Sequence, residues 1–302
     1  AFAIHGTSNL QFPYIMRSGL PEEKKQEWAD RIMSGESFGA ICFTESMAGS
    51  DASAIKTTAV FDEAAQEWVL NGVKCFASNG PIADHFVIFA WTDKTQKPGS
   101  GISAFFVEKE RGVEIGTIEN KLGLKMSKTS EVILNDVRVP ADHLCGELGT
   151  GYKQFLSGMD EVRITGMIFS LGIAQAAVDA AVEYAKTRKT MGQPIIRHQG
   201  LGFLLAEMHT RTDASRAILY QGARCLDEGL PLGTISSSSK EFVANSTVQT
   251  VIDAMEVFGG YGYVKDYPVE KLVRDAKIFT IFDGTTEINK MVIARQLEKK
   301  YK

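Results

Sequence analysis

The chain has little of what would tie it to a membrane, a metal or an oxidising compartment. No uninterrupted apolar run approaches the ~20 residues a membrane-crossing helix needs. Four cysteines, Cys42, Cys75, Cys145 and Cys225, are scattered without a CxxC pair. That spacing argues against a disulfide framework or a zinc site and for a reducing compartment. The five histidines (His5, His85, His143, His198 and His209) show no metal-ligand spacing. A net charge of -4 gives no reason to expect nucleic acid or an anionic membrane as partner. The opening AFAIHGTSNL has no charged n-region, no cleavage motif and no initiator Met. It starts within an apolar pattern and reads as a chain that begins inside an element.

What remains is ample for a globular fold. The 302 residues suggest two domains at roughly 150 each, and the apolar content can bury a substantial core. The texture changes twice. Residues 1–36 read as helical, with LPEEKKQEWADRIMSGE a charged helix ending near Gly35. Residues 37–146 read as strands: FGAICFT, KTTAVF, EWVLNGVKCF, HFVIFAWT, ISAFFVE and SEVILNDVRV are β-branched or aromatic and separated by turn formers. The Asn71-Gly72 pair predicts a hairpin between 68–70 and 73–76. Residues 147–302 read as helices over about 152–189, 198–228 and 235–258, with shorter ones after Pro268 and Thr286. Lys186, Arg188 and Lys189, then Gly192 and Pro194, read as the stop of the first. The predicted fold is α+β: a β-barrel or sandwich followed by an antiparallel helical bundle.

Several motifs have two readings each. In TESMAGSD (44–51) the Gly-Ser-Asp turn is either a plain loop or a donor-rich anion cradle. Phe76 and Ser78 in VKCFASNG share a strand face, suited to a flat ring with a polar edge or to ordinary packing. RKTMGQP (188–194) offers Arg188 and Thr190 as solvated capping groups or as a pyrophosphate site. FGGYGY (258–263) allows close backbone approach to a ligand or makes a tight turn. In IFDGTTEI (281–288), Asp283-Gly284 marks a turn, and Thr285 or Thr286 caps the helix that follows.

Taken in order and spacing, these segments resemble the acyl-CoA dehydrogenase family of flavoenzymes over essentially the whole chain. The resemblance rests on EEKKQEW with SGE, CFTESMAGSD, LNGVKCFASNG, VPADHLCGELGTGYKQF, AKTRKTMGQPI with HQG, and VFGGYGYVKDYPVEKLVRDAKIFTIFDGTTEI. It implies that residues 1–36 are the tail of an N-terminal helical domain mostly absent from this chain, and a homotetramer (a dimer of dimers) or a dimer that binds FAD, acts on an acyl-CoA thioester and passes electrons to an electron-transferring flavoprotein. By position it assigns Phe43, Thr44, Phe76 and Ser78 to the flavin ring, with Phe76 where Trp is common. Ser50 falls near both flavin and CoA. Arg188, Thr190 and Gln199 match residues that reach the FAD pyrophosphate and adenosine from a neighbouring subunit. Gly260, Thr285 and Glu287 match further adenosine contacts, Glu287 standing where Gln is familiar. Asp160, Arg163 and Gly284 match substrate-side positions, Arg163 near the CoA adenosine.

Dehydrogenation of a saturated thioester needs a base for the α-proton, an acceptor for the β-hydride at flavin N5 and donors to the thioester oxygen. In the family one such donor is the backbone N–H of the base residue and another a flavin ribityl hydroxyl. The resemblance implies that Asp283 is the base. The family's usual residue there is Glu, however, and aspartate withdraws the carboxylate by roughly 1.5 Å. A misplacement near 1 Å costs on the order of 100-fold in rate. The position that carries the base in some relatives is Val162 here, and the adjacent Glu161 should point elsewhere on its helix. Three readings of Asp283 stay open: a working base on a closer-seated or unusual substrate, a bystander in a chain acting on cyclic thioesters with its base in the first domain, or a relic of lost dehydrogenation. The rivals are a non-redox elimination on the same flavin, a non-catalytic scaffold, and an oxygen-using oxidase. The expected compartment is bacterial cytoplasm or mitochondrial matrix.

Overall fold

Seven strands form one curled sheet: β1 (Gly39–Cys42), β2 (Thr58–Asp62), β3 (Glu67–Ser78), β4 (His85–Trp91), β5 (Ile102–Glu108), β6 (Glu114–Ile118) and β7 (Thr129–Pro140). Their order is β1-β4-β2-β3-β7-β6, with β5 hydrogen-bonded to β4. The computed structural model describes residues 10–301. It divides into two compact units, residues up to 121 with 125–157, and residues 122–124 with 158–302. The unusual start at 1–9 lies outside the described residues.

Strands β4 and β5 pair antiparallel from His85↔Glu108 to Trp91↔Ile102 and are buried on both faces. Phe86, Ile88, Phe105 and Val107 join Leu70, Val132 and Val139 inside the curl. Val87, Phe89, Ala104 and Phe106 face the other way, onto Tyr14 and Ile15 of α1 (Phe12–Arg17), Trp28 and Ile32 of α2 (Glu22–Ser34), and Phe43. Burial on both faces is why these strands read as continuous apolar runs rather than alternating ones. Helix α2 ends as expected, with Gly35 left-handed (φ +78) at its C-cap.

Two sheet expectations need correction. Asn71-Gly72 is not a hairpin. β3 runs straight through it, and the reversal from β2 to β3 lies at 63–66. At 70–72 the register against β7 slips, a bulge that lets one strand serve β2 with its first half and β7 along its length. Asn71 is used across the sheet instead: its Nδ2 donates to Asp136 Oδ1 at 2.9 Å, and its Oδ1 accepts from the Asp136 N–H at 2.9 Å. Strand β6 was missed, because EIGTI is exposed or half-buried and carries a Gly at its centre.

Two helices, α3 (Gly151–Thr165), which starts in the first unit, and α4 (Met167–Thr187) in the second, replace the single predicted helix, the break falling at Gly166. The apolar window within them is long enough to pass for a membrane span by composition, correcting the expectation that no run comes close. Part of it packs within the unit: Met167, Leu171, Ala174, Ala177, Val178 and Ala181 of α4 are buried. Helices α5 (Gln199–Asp227) and α6 (Ile235–Phe258) match their predicted spans, followed by α7 (Val269–Ala276) and α8 (Thr286–Lys300). α6 is buried along most of its length and packs against α4, α5, α7 and α8. Gly192 does not cap α4. Met191 (φ +50) and Gly192 (φ +82) turn a two-stranded hairpin, β8 (Lys189–Thr190) with β9 (Gln193–Pro194).

Candidate active site

The turn that carries Asp283 is built from both sides. Upstream, the helical turn Lys277–Thr280 buries Phe279, whose ring meets Phe282 edge-on at 5.2 Å. Downstream, Thr285 caps α8: its Oγ1 accepts from the Ile288 N–H at 3.2 Å. Between them, Asp283 (φ +54) and Gly284 (φ +84) are both left-handed, a reversal that Gly takes freely and Asp tolerates. Asn289 of α8 donates its Nδ2 to Gly284 O at 3.0 Å and Thr285 O at 2.9 Å.

The Asp283 carboxylate has Lys240 of α6 and Arg163 of α3 as its charged neighbours. Burial pushes the carboxyl up and the two cations draw it part of the way back, leaving it raised to about 6. Lys240 is fully buried, and burial pulls its ammonium down to about 8 while Asp283 holds it up. Its Nζ donates to Phe279 O. Arg163 is buried, donates from one terminal nitrogen to Asp160 Oδ1 at 3.0 Å, and leaves its Nε with no hydrogen-bond partner among the described residues. Asp160 also accepts from Ser236 Oγ at 3.2 Å. A methyl group on Gly166 would lie 3.7 Å from Asp283 Oδ2, and one on Gly284 would lie 3.7 Å from an Arg163 terminal nitrogen. At Gly166 the tight neighbour is the Val162 carbonyl, 2.8 Å from where a methyl would lie. A carboxylate balanced near 6 beside an unsatisfied buried guanidinium donor is equipped to take a proton from an anion-forming ligand. Val162 is buried and Glu161 exposed, so α3 supplies no second carboxylate at those positions.

The structure separates the other predicted residues into groups. In the sheet unit, the Cys75 N–H donates to Thr44 O at 2.8 Å, which lays the 44–51 loop against the end of β3. There Phe76 is left-handed (φ +55) and 63% exposed, with Ala77 buried and Ser78 half-buried beside it. An exposed aromatic ring, two hydroxyls (Thr44 and Ser78) and main-chain groups match a flat heteroaromatic ring with a polar edge. Phe43 does not offer its ring: it is buried, stacked on Phe155 at 3.9 Å, and its carbonyl accepts from Lys74 Nζ at 3.2 Å. Ser50 is exposed on the loop.

In the helical unit, Arg188, Thr190 and Gly260 line one cavity of about 770 Å³ with Tyr184 and Tyr261. Cation, hydroxyl and side-chain-free backbone are the donor set a pyrophosphate needs. Thr285 and Glu287 line a different cleft of about 480 Å³ with Lys277 and Thr280. Gln199 opens α5, is exposed and lines neither.

Three residues that shape these sites were not singled out from sequence. Lys74 sits fully buried at 2.8 Å from Glu45 Oε1, and Glu45 in turn accepts from the Lys56 N–H at 2.6 Å and the Thr57 N–H at 3.0 Å. A lysine flanked by Val73 and Cys75 within a strand is the signal that would have found it. Lys240 and Asn289 carried no comparable signal.

A chain that carries both a curled sheet with an exposed ring-and-hydroxyl rim and a helical bundle with a half-buried, cation-flanked carboxylate has the parts of a proton-abstracting flavoenzyme. Residues 40–137 match the family model described as acyl-CoA dehydrogenase, middle domain, and residues 149–298 the one for acyl-CoA dehydrogenase, C-terminal domain. An acyl-CoA dehydrogenase of Bacillus subtilis (strain 168) is 42% identical over 277 residues, covering 91% of this chain and 72% of that protein. The structure of butyryl-CoA dehydrogenase from Megasphaera elsdenii superposes with a TM-score of 0.92 at 36% identity, covering 97% of this chain and 76% of that one. A solved structure described as an electron transferring flavoprotein of Acidaminococcus fermentans contains a chain with a TM-score of 0.90 at 41% identity, over 94% of this chain and 74% of that one. The chain belongs to the acyl-CoA dehydrogenase family, flavin-dependent oxidoreductases that act on CH–CH groups of CoA thioesters.

Proposed function

We propose that this protein catalyses the FAD-dependent dehydrogenation of an acyl-CoA thioester, with Asp283 as the base that removes the α-proton. One observation carries the reading: the Asp283 carboxyl is half-buried with Lys240 and Arg163 as its charged neighbours and is held near 6, basic enough to accept a proton at neutral pH and ionised there to do so. A bound flavin supplies the acceptor for the β-hydride. Thr44, Phe76 and Ser78 would hold its ring, and Arg188 and Thr190 of a neighbouring subunit, with Gly260, its pyrophosphate and adenosine. Arg163, paired with Asp160, would stand on the CoA side of the site.

The electron acceptor is an electron-transferring flavoprotein, a reading supported by the likeness to the Acidaminococcus fermentans structure. The working form is a homotetramer, which suits an exposed Gln199 and an open cavity at Arg188. A reducing compartment, bacterial cytoplasm or mitochondrial matrix, suits four free thiols.

The test is an anaerobic titration of the flavin spectrum with linear, branched and cyclic acyl-CoAs, on wild type and Asp283→Asn. Bleaching by one thioester, slowed at least 100-fold in the variant, is the expected result. Bleaching that survives the substitution moves the base elsewhere. A yellow protein that no thioester bleaches sinks dehydrogenation and favours non-redox elimination.

A further inference from the structure

The turn that carries Asp283 is held at two points by fully buried polar side chains from different helices. Lys240 reaches out of α6 to the carbonyl of Phe279, with its Nζ 5.3 Å from the Phe282 ring centroid. Asn289 reaches back from the first turns of α8 to the carbonyls of Gly284 and Thr285. Two consecutive left-handed residues make no helix or strand ladder of their own, so their position depends on such outside contacts. A buried ammonium is also costly unless negative charge offsets it, and a neutral donor would serve a single carbonyl equally well. The charge at Lys240 therefore needs its own explanation: its Nζ stands 5.3 Å from the ring of Phe282, the residue before Asp283, and Asp283 is the carboxylate whose charge reaches it.

The other groups around the turn complete the picture. Arg163 of α3 faces Asp283 as well, and part of its charge is met by Asp160. Lys277, in the preceding turn, lines the separate cleft with Thr285 and Glu287. From α8 the groups at the turn are the uncharged Asn289 and Thr285. Glu241, next to Lys240 in sequence, pairs with Lys290 at 3.7 Å.

We infer that Lys240 and Asn289 are positioning residues for the Asp283 carboxylate: together they clamp the 279–285 turn from two helices, and the Lys240 ammonium keeps the carboxylate in its proton-accepting form. The inference deepens the reading of Asp283 as base and rests on it. The opposed pulls on the two groups agree with the geometry, since each holds the other's charged form against burial.

The decisive measurement is the titration of the Asp283 carboxyl in resting, flavin-loaded protein. Infrared difference spectra would follow it, with the band assigned through Asp283→Asn. Lys240→Met is expected to raise the midpoint by about one pH unit, and Lys240→Arg to leave it near the wild-type value. Lys240→Gln keeps a donor for Phe279 O without the charge, so it should show the same upward shift and serves if the Met variant fails to fold. Asn289→Ala should leave the midpoint in place and slow flavin reduction about tenfold at unchanged half-saturation. A Lys240→Gln midpoint equal to wild type overturns the electrostatic role, and wild-type reduction rates in Asn289→Ala overturn the clamp. Because the midpoint is read without turnover, it is independent of the Asp283→Asn bleaching test. The two claims therefore fail separately.

Discussion

Lys74 Nζ and Glu45 Oε1 meet at 2.8 Å inside the sheet unit, with the lysine side chain fully buried and the glutamate nearly so. The pair fastens the start of the 44–51 loop to the same strand that ends in Phe76 and Ser78. Removing one partner strands the other charge, at a cost of about 3–5 kcal/mol, whereas removing both is far milder. Lys74→Met should therefore lower the urea midpoint sharply, and Glu45→Gln with Lys74→Met should recover most of the loss. Burial pushes the Glu45 carboxyl up, but Lys74 and the Thr57 and Lys56 donors outweigh it and hold it below the usual range. Its stabilisation is thus complete above the ordinary glutamate range and is lost as pH falls through the lowered value.

The Asp283 carboxyl has the opposite sign. Its folded value of about 6 lies above the ordinary 3.8, so its contribution is complete below about 4 and is lost as pH rises through 6. Asp283→Asn should gain stability relative to wild type between about pH 4 and 6, levelling off near 2–3 kcal/mol. Denaturation curves at a series of pH values would show it, and a pH-independent difference would contradict the assignment. The rate of flavin reduction should rise with pH in a titration centred near 6, where the folded carboxyl ionises.

Gly72 is required by a close approach. A methyl group there would lie 2.3 Å from Thr57 Oγ1 and 2.8 Å from Thr57 Cα. Gly72→Ala should destabilise the sheet unit by about 1–3 kcal/mol, read as a lower denaturation midpoint. An unchanged midpoint would mean that the bulge relaxes freely.

Arg188 is exposed at its cavity and stands 6.0 Å from the Tyr261 ring. As a ligand for pyrophosphate it should contribute a charge-assisted hydrogen bond of about 1.5–3 kcal/mol. Arg188→Leu should weaken FAD retention by roughly 10- to 150-fold in equilibrium dialysis while leaving the thermal unfolding of the flavin-free protein in place. Equal FAD affinity in the variant would remove Arg188 from the cofactor site.

How much was legible depended on how local each signal was. Helices α5 and α6, the cap at Thr285 and the α2 stop at Gly35 follow from periodicity and capping, which operate within a few residues. The turn at Asp283 was legible for the same reason. Asn71-Gly72 and Gly192 misled because the same residue types serve hairpins, bulges and helix ends, and only their strand partners decide between these uses.

By itself the sequence determined the α+β division, most of the elements and the position of the carboxylate in its turn, since each depends on neighbours along the chain. Tertiary structure alone decided that Lys240, Arg163 and Asn289 meet at that turn, that Phe43 turns its ring into the core, and that Arg188 with Gly260 and Thr285 with Glu287 line separate clefts. The reason is physical. Burial, and with it the proton affinity of Asp283, is set by which helices pack over a side chain, and no pattern confined to one helix carries that information.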